Sequence, residues 1–196
     1  MADIIIPRVF HQIWLGSKPM PDEFEDYGKS WVENNPLWQL VLWNDSNMIP
    51  LTNQKIYDSL NSLPQKSDVA RYEILYRYGG VYVDCDFRCL KSIEELLPGV
   101  EAFAASEGPG IISNGIIGCV PHNEIMGKVI SELESSFDKH IKSRPSYQTG
   151  PMYLTRIVKK ENKFTVFGPE LFYPYSYNEK HRRNETFPNA YAVHYW

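Results

Sequence analysis

Apolar residues along this chain switch repeatedly between short unbroken runs and a spacing of three or four positions, which predicts strands alternating with helices. Residues 9–14 form the first run, apolar enough for a central strand, and Gly16 opens the loop after it. An amphipathic helix follows over 22–34, with acids in its first turn where they suit the helix dipole. Residues 38–43 read as a second buried strand, 53–60 as a short helix, and Leu63-Pro64 as a break. Further on come strands at 103–105, 116–120 and 165–167, and helices over 123–139 and 152–159. Residues 107–110 and 144–150 read as loops, and the aromatic stretch 171–177 as loop-like core packing.

Between the break and the middle of the chain lies its most organised stretch. Val69, Tyr72, Leu75 and Tyr76 recur at helical spacing, and Gly79-Gly80 marks where a left-handed residue closes the helix. Val81-Tyr82-Val83 then reads as a short buried strand carrying Asp84-Cys85-Asp86 at its carboxyl end, where α/β sheets place their ligand sites. Side chains alternate along a strand, so Asp84 and Asp86 are expected on one side and Cys85 on the other. Two converging carboxylates suit a hard divalent cation shared with substrate phosphates, Mn2+ or Mg2+. The tripeptide alone is weak: nine Asp among 196 residues give about 0.4 Asp-x-Asp pairs by chance, so its context carries the weight.

The pattern as a whole predicts one α/β domain over 1–196, a Rossmann-like, mostly parallel sheet with helices on both sides. With 24 acidic and 20 basic residues the net charge is −4, and the cations are scattered, which argues against nucleic acid as a partner. Three cysteines, Cys85, Cys89 and Cys119, show no metal-type pairing with histidine and read as reduced thiols. Without a leader-like start or a run long enough to cross a bilayer, the expected location is cytoplasmic. The sequons at Asn44 and Asn184 then read as incidental.

Six separated segments resemble the glycosyltransferases with a DXD-type sugar-binding region, the group of the yeast-type initiating mannosyltransferases and the clostridial glucosylating toxins. They are Ile6-Pro7-Arg8-Val9-Phe10-His11-Gln12-Ile13-Trp14-Leu15-Gly16, Leu42-Trp43-Asn44-Asp45, residues 67–86, Ser113-Asn114-Gly115, Thr149-Gly150-Pro151 and His194-Tyr195-Trp196. The resemblance implies a GT-A fold and retaining transfer of a hexose from a nucleoside-diphosphate sugar, UDP-glucose or similar, to a hydroxyl of a glycan or a protein-linked acceptor. It implies that Trp14 stacks on the base, with Gln12 and Asn44 along the same substrate-binding edge. Asp68 and Arg71 would read the donor sugar's hydroxyls, and Asn114 would sit beside the transferred sugar. His194 would join Asp84 and Asp86 on the metal, with Trp196 completing the diphosphate site. Chains of this kind usually continue past such a tryptophan, so either a domain of a longer protein or an unusually short member is expected.

Each role has a plainer counterpart. Trp14 also reads as a core aromatic, Asp68 with Arg71 as a surface ion pair, Asn114 as a turn residue, and Gly150 as either a ligand-approaching glycine or a simple helix cap. His11, inside a strand, reads as a satisfied buried histidine that shapes the site. Two rival functions share the pattern. A phosphatase of the haloacid dehalogenase type also ends a strand in Asp-x-Asp, but Phe87-Arg88 replace the small or hydroxylated residue it requires. A nucleotide-sugar-binding module without turnover is the other.

Overall fold

In the computed structural model, which describes residues 3–196, the alternation resolves into β1 (Val9–Ile13), α1 (Asp22–Asn34), β2 (Gln39–Trp43), α2 (Gln54–Ser59), α3 (Leu63–Tyr78), β3 (Gly80–Val83) and β4 (Phe87–Cys89). The second half adds β5 (Ala102–Gly108), β6 (Ile111–Cys119), α4 (Glu124–Ser131), α5 (Leu133–Lys139), α6 (Pro145–Gln148), α7 (Pro151–Val158), β7 (Thr165–Phe167), α8 (Pro169–Phe172) and β8 (Ala192–His194). Six strands form one sheet in the order β2-β1-β3-β6-β5-β7. β1 runs parallel to β2 and β3, and β5 parallel to β7, while β6 is antiparallel to both its neighbours.

Two apolar layers hold this sheet between helices. Tyr82 points into a core shared with Tyr72, Leu75, Met126 and Leu154, which places α3, α4 and α7 on one face. Val81 and Val83 point the opposite way, into a core with Phe10, Trp31, Phe87 and Phe172. The alternation expected of a doubly buried strand is therefore met residue by residue in β3.

Several local expectations change. Leu63-Pro64 begins α3 instead of breaking the chain: Ser62 caps the helix by accepting from the Gln65 amide, and a proline costs nothing in the first turn, where its missing N–H has no partner to lose. The helix closes at Gly79, whose φ of 65° only glycine adopts freely. β2 is a half-exposed edge strand, not a buried one. The expected flexible loop at 107–110 is the tight end of the β5–β6 hairpin, and residues 113–115 lie inside β6. The helix expected over 123–139 divides at Glu132, and the loop at 144–150 contains α6. β8 lies outside the main sheet and pairs with β4 in a separate two-stranded sheet.

Candidate active site

At the carboxyl end of β3 the chain makes a tight turn, closed by the Phe87 amide donating to the Asp84 carbonyl at 3.1 Å. This turn, rather than strand alternation, orients the acid pair. The Cys85 side chain swings away to the Ile13 carbonyl (3.5 Å), and burial pushes its thiol up to about 12, so it stays protonated. The antiparallel pairing of β4 with β8 sets Phe87 opposite His194, which delivers the imidazole to the two carboxylates. His194 Nε2 lies 3.1 Å from Asp86 Oδ1 and 3.9 Å from Asp84 Oδ2, and one ligand atom from each residue falls within 4.8 Å of the others.

The donor set of two carboxylates and one imidazole fits a divalent cation of the manganese type, borderline between purely oxygen and nitrogen-rich sites. Its electrostatics agree. Burial raises the Asp84 carboxyl, but Arg71 and then His194 more than reverse this and hold it below the usual carboxylate range. Burial lowers the His194 imidazole, yet the two carboxylates outweigh it and raise the group to about 9. The triad thus gathers negative charge that, without a metal, is balanced by a proton.

Behind the triad is a buried polar lattice built from α3, β6 and the start of α7. Arg71 Nε donates to the Ser67 carbonyl (3.2 Å), Nη1 to the Asn114 carbonyl (2.6 Å) and Nη2 to Ser67 Oγ (3.1 Å). The same guanidinium pairs with Asp84 Oδ1 at 3.0 Å and Asp68 Oδ1 at 3.3 Å, and lies 4.3 Å from the centre of the Tyr82 ring. Tyr82 also donates its hydroxyl to Asp84 Oδ1 at 2.7 Å. Asp68 accepts from Asn114 Nδ2 on Oδ1 (2.7 Å) and from Thr149 Oγ1 on Oδ2 (2.8 Å), while Asn114 Nδ2 also reaches Tyr72 (3.1 Å). Burial raises the Asp68 carboxyl, against the pull of Arg71, Thr149 and Asn114. With Asn114 and Arg71 both on Oδ1 and Thr149 on Oδ2, the capacity left for a ligand lies on Oδ2.

The triad and this lattice open onto one cleft of about 850 Å³, a volume suited to a small-molecule ligand. Of the residues named from sequence, Trp14, Asp68, Arg71, Asp84, Asp86, Asn114, Gly150 and His194 line it. Three others stand apart. Gln12 is buried under α1, its Oε1 3.0 Å from where a side chain on Gly28 would begin. Asn44 is turned into its own loop, where its Oδ1 accepts from both Ser46 N and Ser46 Oγ. Trp196 packs edge-on against the His194 ring at 4.3 Å and supports it from outside the cleft. His11 is satisfied on both nitrogens, at Gly79 O and Trp43 Nε1, and burial lowers it to about 4, as its strand position suggested.

Sequence reading passed over Tyr82, Ser67 and Thr149. Tyr82 stands two residues before Asp84, and Thr149 adjoins the Gly150 singled out for its backbone, so both had a signal in their neighbours. Ser67 had the helical spacing that puts it one turn before Arg71.

A six-stranded α/β sheet with this acid pair at the end of a central strand has the GT-A architecture. Residues 21–103 match the family described as glycosyltransferase sugar-binding region containing DXD motif. Over 160 residues it is 31% identical to inositol phosphoceramide mannosyltransferase 3 of Schizosaccharomyces pombe, covering 78% of this chain and 44% of the relative. The chain spans between 39% and 50% of the length of the first three such curated relatives. Among solved structures, the PaToxG glycosyltransferase superposes with a TM-score of 0.70 at 18% identity, over 80% of this chain and 70% of that one. The UDP-bound glycosyltransferase domain of the YGT toxin gives 0.61 at 12% identity, over 84% and 80%. The match to this family argues against the phosphatase reading, and Asp84, bound by Arg71 and Tyr82, is poorly placed as a nucleophile. Among the described residues, no helix is long and apolar enough to cross a membrane.

Proposed function

We propose that this domain transfers a hexose from a nucleoside-diphosphate sugar to a hydroxyl acceptor with retention of configuration, and that it requires a divalent cation, Mn2+ before Mg2+. The observation that carries the reading is the convergence of Asp84, Asp86 and His194 on the wall of a cleft that also contains Trp14 and Asp68. Asp84, Asp86 and His194 would hold the cation. When bound, it neutralises charge on the departing diphosphate as a Lewis acid.

The remaining work falls to side chains. Trp14 offers a flat surface for the base, as the sequence resemblance implied, and the backbone at Gly150 borders the cleft beside Asp68. Asp68, with lone pairs to spare, accepts from the donor sugar's hydroxyls, and Asn114 fixes its orientation. The carboxylates that line the cleft, Asp68, Asp84 and Asp86, are already engaged by Arg71, Asn114 and Thr149, by Arg71 and Tyr82, and by His194, which argues against a protein nucleophile at the sugar. The bond from the anomeric carbon to the diphosphate oxygen therefore breaks as the acceptor oxygen bonds to the same face, and the acceptor's proton passes to the departing diphosphate. UDP is the preferred nucleotide, because the motifs look closest to uridine-nucleotide users and a UDP-bound domain shares the fold. The acceptor hydroxyl belongs to a glycan or a protein-linked group, and the cytoplasmic location remains part of this proposal.

The test is to titrate UDP and GDP into the protein with and without Mn2+, then to follow sugar release from the matching nucleotide-sugars. Mn2+-dependent binding of UDP with slow sugar release supports the reading. Tighter GDP binding moves the donor to a guanosine nucleotide. Binding with no transfer or hydrolysis under any condition assigns a non-catalytic sugar-binding module instead.

A further inference from the structure

We infer that Lys18 binds the diphosphate of the donor: its ammonium, on the loop after β1, meets the nucleotide charge that the divalent cation leaves uncovered. This assignment presupposes the nucleotide donor proposed above, and the sequence did not point to Lys18.

The loop that carries Lys18 is held in one shape. The Trp14 amide donates to the Trp43 carbonyl at 2.8 Å, and the Gly16 amide donates to Asp45 Oδ2 at 2.7 Å. Gly16 has a φ of 84°, and a β-carbon there would start 2.8 Å from the Leu63 side chain, so the turn depends on glycine. The Trp14 indole then donates to the Lys18 carbonyl at 2.8 Å. That one bond fixes both the ring offered to the base and the backbone from which Lys18 projects. Among the described residues, Lys18 is the one lysine that lines the cleft. Lys29 and Lys128 are paired with acids, and Lys159 and Lys180 donate to carbonyls. The exposed Lys18 ammonium has no such partner among the described residues.

Charge decides what it meets. The cleft wall sets Asp68, Asp84 and Asp86 against Arg71, which leaves two negative charges for a divalent cation to cancel. His194 supplies no positive charge once it gives up its proton to act as a ligand. A nucleoside-diphosphate sugar brings two further negative charges, and a third develops on the diphosphate as its bond to the anomeric carbon breaks. Lys18 is the cation left on the wall to meet them, a compact charge on a flexible stem that suits a phosphate oxygen.

A phosphate contact and a base contact separate by ligand and by salt. Uridine, UDP with Mn2+, and Mn2+ alone would each be titrated into wild type and Lys18→Met at about 20 mM and about 0.5 M salt, between which screening shortens to a few Å. Lys18→Met keeps the apolar stem and removes the charge. Thermal unfolding checks the fold, and Lys18→Gln repeats the test should Lys18→Met melt early. UDP affinity is expected to fall roughly three- to tenfold in low salt, as for one charge-assisted hydrogen bond at an exposed position, and the gap should close in high salt. Uridine and Mn2+ alone should bind as they do to wild type. Losses that are equal for uridine and UDP, or that persist in high salt, give Lys18 to the base or ribose and overturn the inference. So does a charge-free variant that binds UDP like wild type in low salt. A wild-type protein that binds neither Mn2+ nor UDP defeats the proposed donor instead, and that result needs no variant.

Discussion

His194 Nε2 stands 3.1 Å from Asp86 Oδ1, and that contact joins the last strand of the chain to the turn that ends β3. The two carboxylates raise the imidazole to about 9 against the lowering effect of burial, so in the metal-free protein it is cationic at neutral pH. A folded-state value above the ordinary 6.5 means that its contribution to stability is fully present below about pH 6.5 and is lost as pH rises through about 9. In chelator-treated protein, the difference in melting temperature between wild type and His194→Gln should narrow across that interval. A difference independent of pH would separate His194 from the acid pair.

The proton on His194 also competes with the cation. Metal binding must release it, so Mn2+ affinity should climb from pH 6 toward pH 9 and level off near the upper limit. Calorimetry in buffers of different ionisation enthalpy would detect the released proton directly. In His194→Gln the affinity would be weaker and its pH dependence over this range lost.

Gly115 in β6 leaves room for the acid pair. A methyl group there would start 2.7 Å from Asp84 Oδ2 and 2.8 Å from the Tyr173 hydroxyl. Gly115→Ala is expected to displace Asp84 and lower Mn2+ affinity on the order of tenfold. A methyl group on Gly118, three residues on, would start 2.2 Å from the Phe103 ring, so Gly118→Ala should instead overpack the core and cost about 1–3 kcal/mol of stability. Metal titration and denaturant melts of both variants separate the two effects.

Thr149→Val keeps the shape of the side chain and removes the donor to Asp68 Oδ2. Leaving a buried carboxylate oxygen short of a partner costs about 1–3 kcal/mol, read in a denaturant melt. Because Asp68 is proposed to read the donor sugar, affinity for UDP-glucose should fall while that for UDP stays close to wild type.

How much of this was legible varies with sequence distance. α3, its stop at Gly79 and the buried β3 follow from local spacing and a single permissive glycine, and Asp84 and Asp86 were found where the strand ends. Their convergence was expected for the wrong local reason, since the turn through Cys85 and not the pleat sets it. Asn114 read equally as a group beside the sugar and as a turn residue, the latter because asparagine favours turns. Pairing of β6 with strands on both sides overrides that propensity. The small β4–β8 sheet and the crowding around Arg71 depend on contacts between distant segments, which no local pattern encodes. Gln12 and Asn44 lay inside segments that resembled the family, yet their side chains face α1 and a loop; nearness in sequence to Trp14 and the sheet edge did not carry them into the cleft.

The central claim is that Asp84, Asp86 and His194 hold a divalent cation on which nucleotide binding depends, and Asp86→Asn tests it most directly. The substitution keeps size and removes one charged ligand. In wild type, UDP should bind with Mn2+ and be lost on chelation. In Asp86→Asn the fold should survive, Mn2+-dependent UDP binding should largely disappear, and turnover should fall on the order of a hundredfold. Mn2+-dependent UDP binding and turnover near wild-type levels in Asp86→Asn would contradict the account.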